Sequence, residues 1–87
     1  MELNHLRSFI AVAKLGHLTR AAETLHLSQP VLSGQIKALE EHFGVSLFQR
    51  MSSGMALTPS GRRLLPHAEG IIGAVAQLGH AAQAAVG

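Results

Sequence analysis

Residues 19–44 read TRAAETLHLSQPVLSGQIKALEEHFG, and this stretch decides the fold because it has the pattern of two short helices joined by a tight turn. Thr19 is expected to cap the first helix, which runs from Arg20 to Leu25, and His26-Leu27 is expected to form the turn. The small pair Ala21-Ala22 lets another helix cross closely. The pattern therefore predicts a helix-turn-helix over about residues 18–43.

The second helix of the pair has clear signals at both ends. Ser28 is a good N-cap, and Pro30 lies in the first turn, where its missing amide costs no hydrogen bond. The helix is expected to run to about His42, with Gly44 in the left-handed conformation that ends a helix. Four apolar side chains follow the spacing of one helix face and are expected to point into the core: Leu32, Ile36, Leu39 and Phe43.

A polar stripe occupies another face of this second helix. Gln29, Ser33 and Lys37 recur every fourth residue from its N-terminal end, and acidic residues follow only at Glu40 and Glu41. Such a stripe is often a solvated surface, but amide and hydroxyl groups in this position suit base edges and phosphates. The stripe therefore favours a helix that enters the major groove of DNA.

The segments on either side of the pair complete a small domain. Residues 3–15 have the pattern of an amphipathic helix that Gly16 ends, and this helix should pack beneath the pair. After Gly44, apolar residues partly alternate around the Ser52-Ser53-Gly54 turn. This arrangement predicts a small β-hairpin, or wing, over about residues 45–57.

A long helix is expected from Pro59 to about Val86, with Thr58 as N-cap and Pro59 at its first position. Its length would be roughly 42 Å, too long to be covered by the small domain before it. Beyond Glu69 it has no Lys, Arg, Asp or Glu. We therefore predict a homodimer contact rather than a solvated tail, through a heptad seam that comprises Leu64, Ala68, Ile71, Val75 and Leu78, with Ala82 in the next turn.

Composition excludes several classes of protein. The 87 residues suffice for one domain with a small core, and seven Lys and Arg against five Asp and Glu permit nucleic-acid binding without proving it. Without cysteine, zinc fingers, disulfide scaffolds and thiol chemistry are excluded, which fits a cytoplasmic protein. No apolar run is long enough to span a bilayer, so no membrane association is expected.

Neither an enzyme nor a metal protein is expected. The six histidines show no i, i+4 pair and the chain has no cysteine, so no metal and no cofactor is predicted for this chain. Ser28, Ser33 and Ser60 lack the strand-turn setting of a nucleophile, and no catalytic residue is predicted.

Six segments match one family in their order and spacing, over nearly the whole chain. They are Leu6-Arg7-Ser8-Phe9, Leu18-Thr19-Arg20-Ala21-Ala22, Leu27-Ser28-Gln29-Pro30, residues 33–40, residues 43–50 and Leu57-Thr58-Pro59-Ser60-Gly61. With these segments the chain resembles the N-terminal DNA-binding region of LysR-type transcriptional regulators. The resemblance implies a mainly α fold: a winged helix-turn-helix, with a three-helix core and a β-hairpin wing, in residues 1–58, then a C-terminal linker and dimerisation helix in 59–87.

The resemblance also implies roles for individual residues on double-stranded promoter or operator DNA. Gln29, Pro30 and Ser33 would face the bases, with Gly34 beside them. The Gln29 amide suits an adenine edge, the Pro30 ring suits a thymine methyl, and the Ser33 hydroxyl suits a base or a phosphate. The remaining members of the predicted DNA-binding set would lie near the sugar-phosphate backbone: Thr19, Arg20, Lys37 and Arg50. Arg50 would reach a phosphate or the minor groove. A homodimer would hold two such recognition helices.

Two departures from the family pattern lower the positive charge of this surface. Gly34 stands where the family usually has Arg or Lys, and Ser52, Ser53 and Met55 stand where it often has basic wing residues. We therefore expect about three to four phosphate contacts per protomer, and a slope of log K against log salt no steeper than roughly −7 for a dimer.

Regulators of this family normally continue into a larger ligand-sensing domain, so such a domain is expected in a longer parent chain. The alternative to a DNA-binding domain is a protein-interaction module, in which the apolar tail binds a partner helix and the polar stripe never touches DNA. Substitution of the side chains of the polar stripe should distinguish these two functions, because only a DNA-binding domain would lose discrimination between DNA sequences.

Overall fold

The computed structural model describes residues 1–86 and has the expected mainly α architecture. Three helices form the core, a two-stranded antiparallel sheet forms the wing, and a long helix follows. The elements in chain order are α1 (Leu3–Leu15), α2 (Leu18–Leu25), α3 (Gln29–Phe43), β1 (Phe48–Met51), β2 (Gly54–Leu57) and α4 (Pro59–Val86).

Most helix ends lie where the sequence places them. The Ser28 hydroxyl accepts a hydrogen bond from the Val31 amide at 3.3 Å, and the Thr58 hydroxyl accepts one from the Gly61 amide at 3.0 Å. Gly16 and Gly44 end α1 and α3 in the left-handed conformation, with φ of 72° and 70°. These local signals are therefore confirmed.

The start of α2 differs from the prediction. The helix begins at Leu18 with His17 as N-cap and without a side-chain capping bond, so Thr19 is the second helical residue rather than the cap. Leu18 is 8% exposed and belongs to the core. Burying a leucine is worth about 1.5–3 kcal/mol against about 1 kcal/mol for a cap, so the packing of Leu18 determines the first turn.

The core lies between α1, α2 and α3 and is closed by β1. The ring of Phe9 meets that of Phe48 edge to face, with centroids 5.6 Å apart. Ala21 and Ala22 are buried at the helix crossing, as predicted. The predicted inward face of α3 is also buried, except for its last member: Leu32, Ile36 and Leu39 are in the core, whereas Phe43 is 40% exposed.

The prediction that Phe43 points inward is therefore wrong. The last turn of α3 reaches the margin of the core, where the Phe43 ring lies beside Met1, Leu64 and Ile71 in an apolar groove of about 180 Å³. Periodicity identifies the face of a helix but not the point at which its neighbours end.

The wing is fixed to the rest of the domain. Its strands pair from Phe48↔Leu57 to Met51↔Gly54, which leaves Ser52 and Ser53 as the turn. The Met55 amide donates to the Gly16 carbonyl at 2.8 Å. Gly54 has φ of 134°, and a β-carbon there would lie 2.3 Å from the Gly16 oxygen. Only glycine therefore allows this close contact between the wing and the end of α1.

The first turns of α4 pack onto the domain. A β-carbon on Gly61 would lie 2.3 Å from the Leu47 oxygen, and Ala68 is 3% exposed against the core. Lys14 of α1 forms an ion pair with Glu69 at 3.4 Å. The helix continues through Pro66, and the molecule extends to 51 × 25 × 19 Å.

The predicted dimer seam is therefore divided. Ala68 faces its own core and Leu64 is half-buried, so Ala68 does not belong to a surface free for a partner. Ile71 and Leu78 are 41% and 71% exposed, and Val75 is half-buried. The prediction that the domain leaves the whole seam uncovered is wrong for its first two turns, because α1 and α4 pack together there.

Candidate nucleic-acid interface

One open groove brings together residues from three elements. It has a volume of about 580 Å³ and lies between the start of α2, the start of α3 and the wing. The predicted DNA-binding residues that line it are Thr19, Arg20, Gln29 and Arg50. The structure therefore brings predicted DNA-binding residues of the helix pair and of the wing together on one surface.

A second groove continues this surface along α3. Ser33 and Lys37 line it together with Arg50, in a volume of about 150 Å³. Arg50 borders both grooves, so the two form one continuous surface, which we call the α3–wing surface. Glu40 also lines the second groove, but its carboxylate accepts a hydrogen bond from the Leu47 amide at 2.7 Å. That acidic side chain therefore holds the loop after α3.

Pro30 and Gly34 lie outside both grooves on the solvent side of α3. With 100° per residue they are opposite the buried face of the helix, and both are exposed. No atom lies within 4 Å of the position of a Gly34 β-carbon. The first acidic residue on this side of α3 is Glu41, two turns after Gly34. The N-terminal half of α3 is therefore the half suited to DNA.

The positive charge of the α3–wing surface comes from three cations, and the carboxylates of Glu23 and Glu40 line the same grooves. Arg20, Lys37 and Arg50 are exposed. Within residues 1–86 the ion pair is that between Lys14 and Glu69, so none of the three is bound to a carboxylate in this part of the chain. Their charges remain available to phosphate.

Several residues of this surface were not predicted from the sequence. Met51, Ser52 and Ser53 of the wing line the larger groove. His17 and Glu23 line it as well. The wing residues reach it because β2 is bonded to the end of α1, and no local pattern in the sequence signals that contact.

Other types of site are not formed in the described part of the chain. In residues 1–86, no three side chains of His, Asp or Glu come together in a way that would hold a metal ion. None of the described helices combines the length and the apolar character needed to cross a bilayer.

Comparison with known proteins agrees with this geometry. Residues 3–62 match the family described as bacterial regulatory helix-turn-helix protein, lysR family. The chain is 56% identical over 61 residues to the HTH-type transcriptional regulator BudR of Klebsiella aerogenes, covering 70% of this chain and 43% of that protein. It is 48% identical over 68 residues to TfdS of Cupriavidus pinatubonensis, covering 78% of this chain and 23% of TfdS.

A solved structure extends the similarity to the whole fold. The protein of the CbnR_DBD–DNA complex superposes with a TM-score of 0.91 and 39% sequence identity, and the match covers 100% of both chains. The chain spans less than half the length of the two regulators named above. The family match covers most of the chain and the fold agrees with it throughout, so this protein belongs to the LysR family of bacterial regulatory helix-turn-helix proteins.

Proposed function

We propose that this chain binds double-stranded DNA in a sequence-specific manner as the DNA-binding domain of a LysR-type transcriptional regulator. The observation that carries the proposal is the α3–wing surface, where uncharged polar groups of α3 and three unpaired cations lie together. The CbnR_DBD chain, which has the same fold, was crystallised with DNA. Because the members of this family are transcriptional regulators, we propose no enzymatic activity for this chain.

In this proposal α3 enters the major groove with its N-terminal half. Gln29 offers an amide to an adenine edge, the Pro30 ring contacts a thymine methyl, and Ser33 bonds to a base or a phosphate. Gly34 leaves bare backbone beside them.

The phosphate contacts come from the edges of the α3–wing surface. Arg20 and Thr19 lie at the start of α2, Lys37 lies one turn after Ser33, and Arg50 lies between the two grooves. These contacts set the register of α3 on the duplex without reading sequence.

The second half of α4 supports a homodimer. From Gly70 onward the helix has no Lys, Arg, Asp or Glu, and Ile71 and Leu78 expose apolar side chains. A second copy that covers Ile71, Val75 and Leu78 removes this surface from water. The dimer then presents two copies of α3 to successive major grooves.

The rest of the regulator is proposed from its relatives. Because the chain matches 23% of the length of TfdS, we propose that a larger ligand-sensing domain follows α4 in a longer protein. Binding to chromosomal DNA places that protein in the bacterial cytoplasm. None of the described residues is assigned to effector binding.

The test is a pair of substitutions on α3. Gln29→Ala and Ser33→Ala should each reduce discrimination between the operator and unrelated DNA by roughly 1–3 kcal/mol per lost base contact. Gln83→Ala, the same change on exposed α4, is the matched control and should change nothing. Titration of each variant with both DNAs at fixed salt measures the effect.

The result also distinguishes a DNA-binding domain from a protein-interaction module. If both α3 variants discriminate as the unchanged protein does, while dimerisation persists, α3 does not read bases. The protein-interaction module is then the better description.

A further inference from the structure

His17 places an exposed imidazole at the junction of α2 and the wing. It lines the larger groove of the α3–wing surface together with Arg20 and Arg50, the proposed phosphate contacts from those two elements. We propose that His17 is a further phosphate contact whose charge depends on pH, so that DNA binding takes up a proton at each protomer. The inference rests on the proposed DNA binding and adds a residue that was not predicted from the sequence.

Contacts with the wing fix the position of the imidazole. A β-carbon on Gly54 would lie 3.0 Å from His17 Nδ1 and 3.1 Å from Cε1, so the ring lies against the backbone of the turn. The Met55 amide donates to the Gly16 carbonyl at 2.8 Å, which holds the wing beside the residue before His17. Because the Nδ1–Cε1 edge faces the wing, Nε2 is the ring nitrogen that can donate to a phosphate oxygen.

The imidazole has no capping role in α2. His17 is the N-cap residue, but its side chain makes no hydrogen bond to the helix, and the residue is exposed. The first turn is anchored instead by its neighbour Leu18, which is buried in the core. Substitution of the imidazole should therefore leave the fold intact and change only what the groove binds.

Two elements place charges around the imidazole. The charged groups that line the groove with His17 are Arg20 and Glu23 of α2 and Arg50 of β1. Among the described residues, α1 contributes no side chain to this lining, and α3 and the turn of the wing contribute only uncharged ones. A DNA backbone in the groove adds phosphates beside the imidazole, and their negative charge favours its protonated form.

The sign of the pH dependence follows from this proton uptake. Because the complex holds more protons than the free protein, the affinity for DNA should rise as pH falls through the range in which histidine titrates, about pH 5–8. The same gain is lost as pH rises through that range. Arginine and lysine stay charged throughout it, so their phosphate contacts do not produce this effect.

The proposed contact also has a distinct signature in salt. A protonated imidazole on a phosphate releases a counterion, whereas a neutral imidazole releases none. The slope of log K against log salt should therefore be steeper at about pH 5.5 than at about pH 8, by about 1.8 for a dimer with two such contacts. An imidazole that only packs against the wing would leave the slope the same at both pH values.

The experiment measures binding to an operator selected from a random duplex pool, at fixed salt, at about pH 5.5 and about pH 8. The unmodified protein should bind roughly tenfold more tightly at the lower pH, because each protomer gains a phosphate contact. His17→Gln should reduce this difference to less than roughly twofold. His17→Lys, which is charged at both pH values, should bind at the higher pH about as tightly as the unmodified protein binds at the lower.

The matched control is His80→Gln. His80 is exposed on α4, lines neither groove and lies on the side of the helix opposite Ile71, so this variant should keep the full pH dependence. The proposal is overturned if the unmodified protein binds equally at both pH values, or if His17→Gln retains the difference. Either result leaves the role of α3 intact, because Gln29→Ala tests that role on the same operator. Failure to select any operator would instead remove the proposed function and this inference with it.

Discussion

Among single residues, Gly34 lowers both the helix stability and the charge of the α3–wing surface. It lies inside α3, where glycine costs roughly 1 kcal/mol relative to alanine, and nothing lies within 4 Å of its absent β-carbon. A longer side chain at this position therefore meets no protein atom near the backbone and points toward the side of the helix that is proposed to face DNA.

Gly34→Arg should therefore change stability and salt dependence together. We expect an increase of about 0.5–1 kcal/mol in the free energy of unfolding, and a salt slope steeper by about 1.8 for the dimer, from a starting value no steeper than roughly −7. Urea unfolding and salt titrations of DNA binding measure the two effects. Gly34→Ala should reproduce the gain in stability but not the steeper slope; a steeper slope with alanine would contradict the electrostatic explanation.

Among the elements, the ends of the helices could be predicted from local sequence signals, whereas the burial of side chains between elements could not. Ser28, Thr58, Gly16 and Gly44 act on their own helix ends, so the sequence suffices to place them. The position of Phe43 depends instead on where neighbouring helices end.

The same distinction applies to the candidate site. The polar face of α3 follows from periodicity, and six of the eight predicted DNA-binding residues line the two grooves. The turn of the wing joins them through the contact between Met55 and Gly16, which lie far apart in the sequence. Ala68 was placed in the dimer seam because the heptad pattern does not show that α1 already covers it.

The junction between the wing and α4 gives a test at this scale. A β-carbon on Gly61 would lie 2.3 Å from the Leu47 carbonyl oxygen and 2.9 Å from a methyl of Leu57. Gly61→Ala should therefore lower the free energy of unfolding by about 1–3 kcal/mol, as overpacking does. Gly34→Ala, the same change at an open helical position, should raise it. If thermal or urea unfolding shows stabilisation in both variants, the close contact at Gly61 does not exist.

In the molecule as a whole, α4 carries the apolar surface that requires a partner. Leu78 is 71% exposed, so an aspartate there breaks no contact within one chain. Leu78→Asp should shift the protein from dimer to monomer in analytical ultracentrifugation, because a charge would be buried in the seam. Ala76→Asp adds the same charge on the same exposed helix, outside the seam, and should remain dimeric. An unaltered dimer in the Leu78 variant would reject the seam.

The measurement that tests the account most directly is selection of bound sequences from a random duplex pool by the unmodified protein. The account predicts a two-fold symmetric consensus whose half-sites lie about one helical turn, or a multiple of it, apart, because two copies of α3 enter major grooves on one side of the duplex. Recovery of no consensus, or of one without two-fold symmetry, would contradict it.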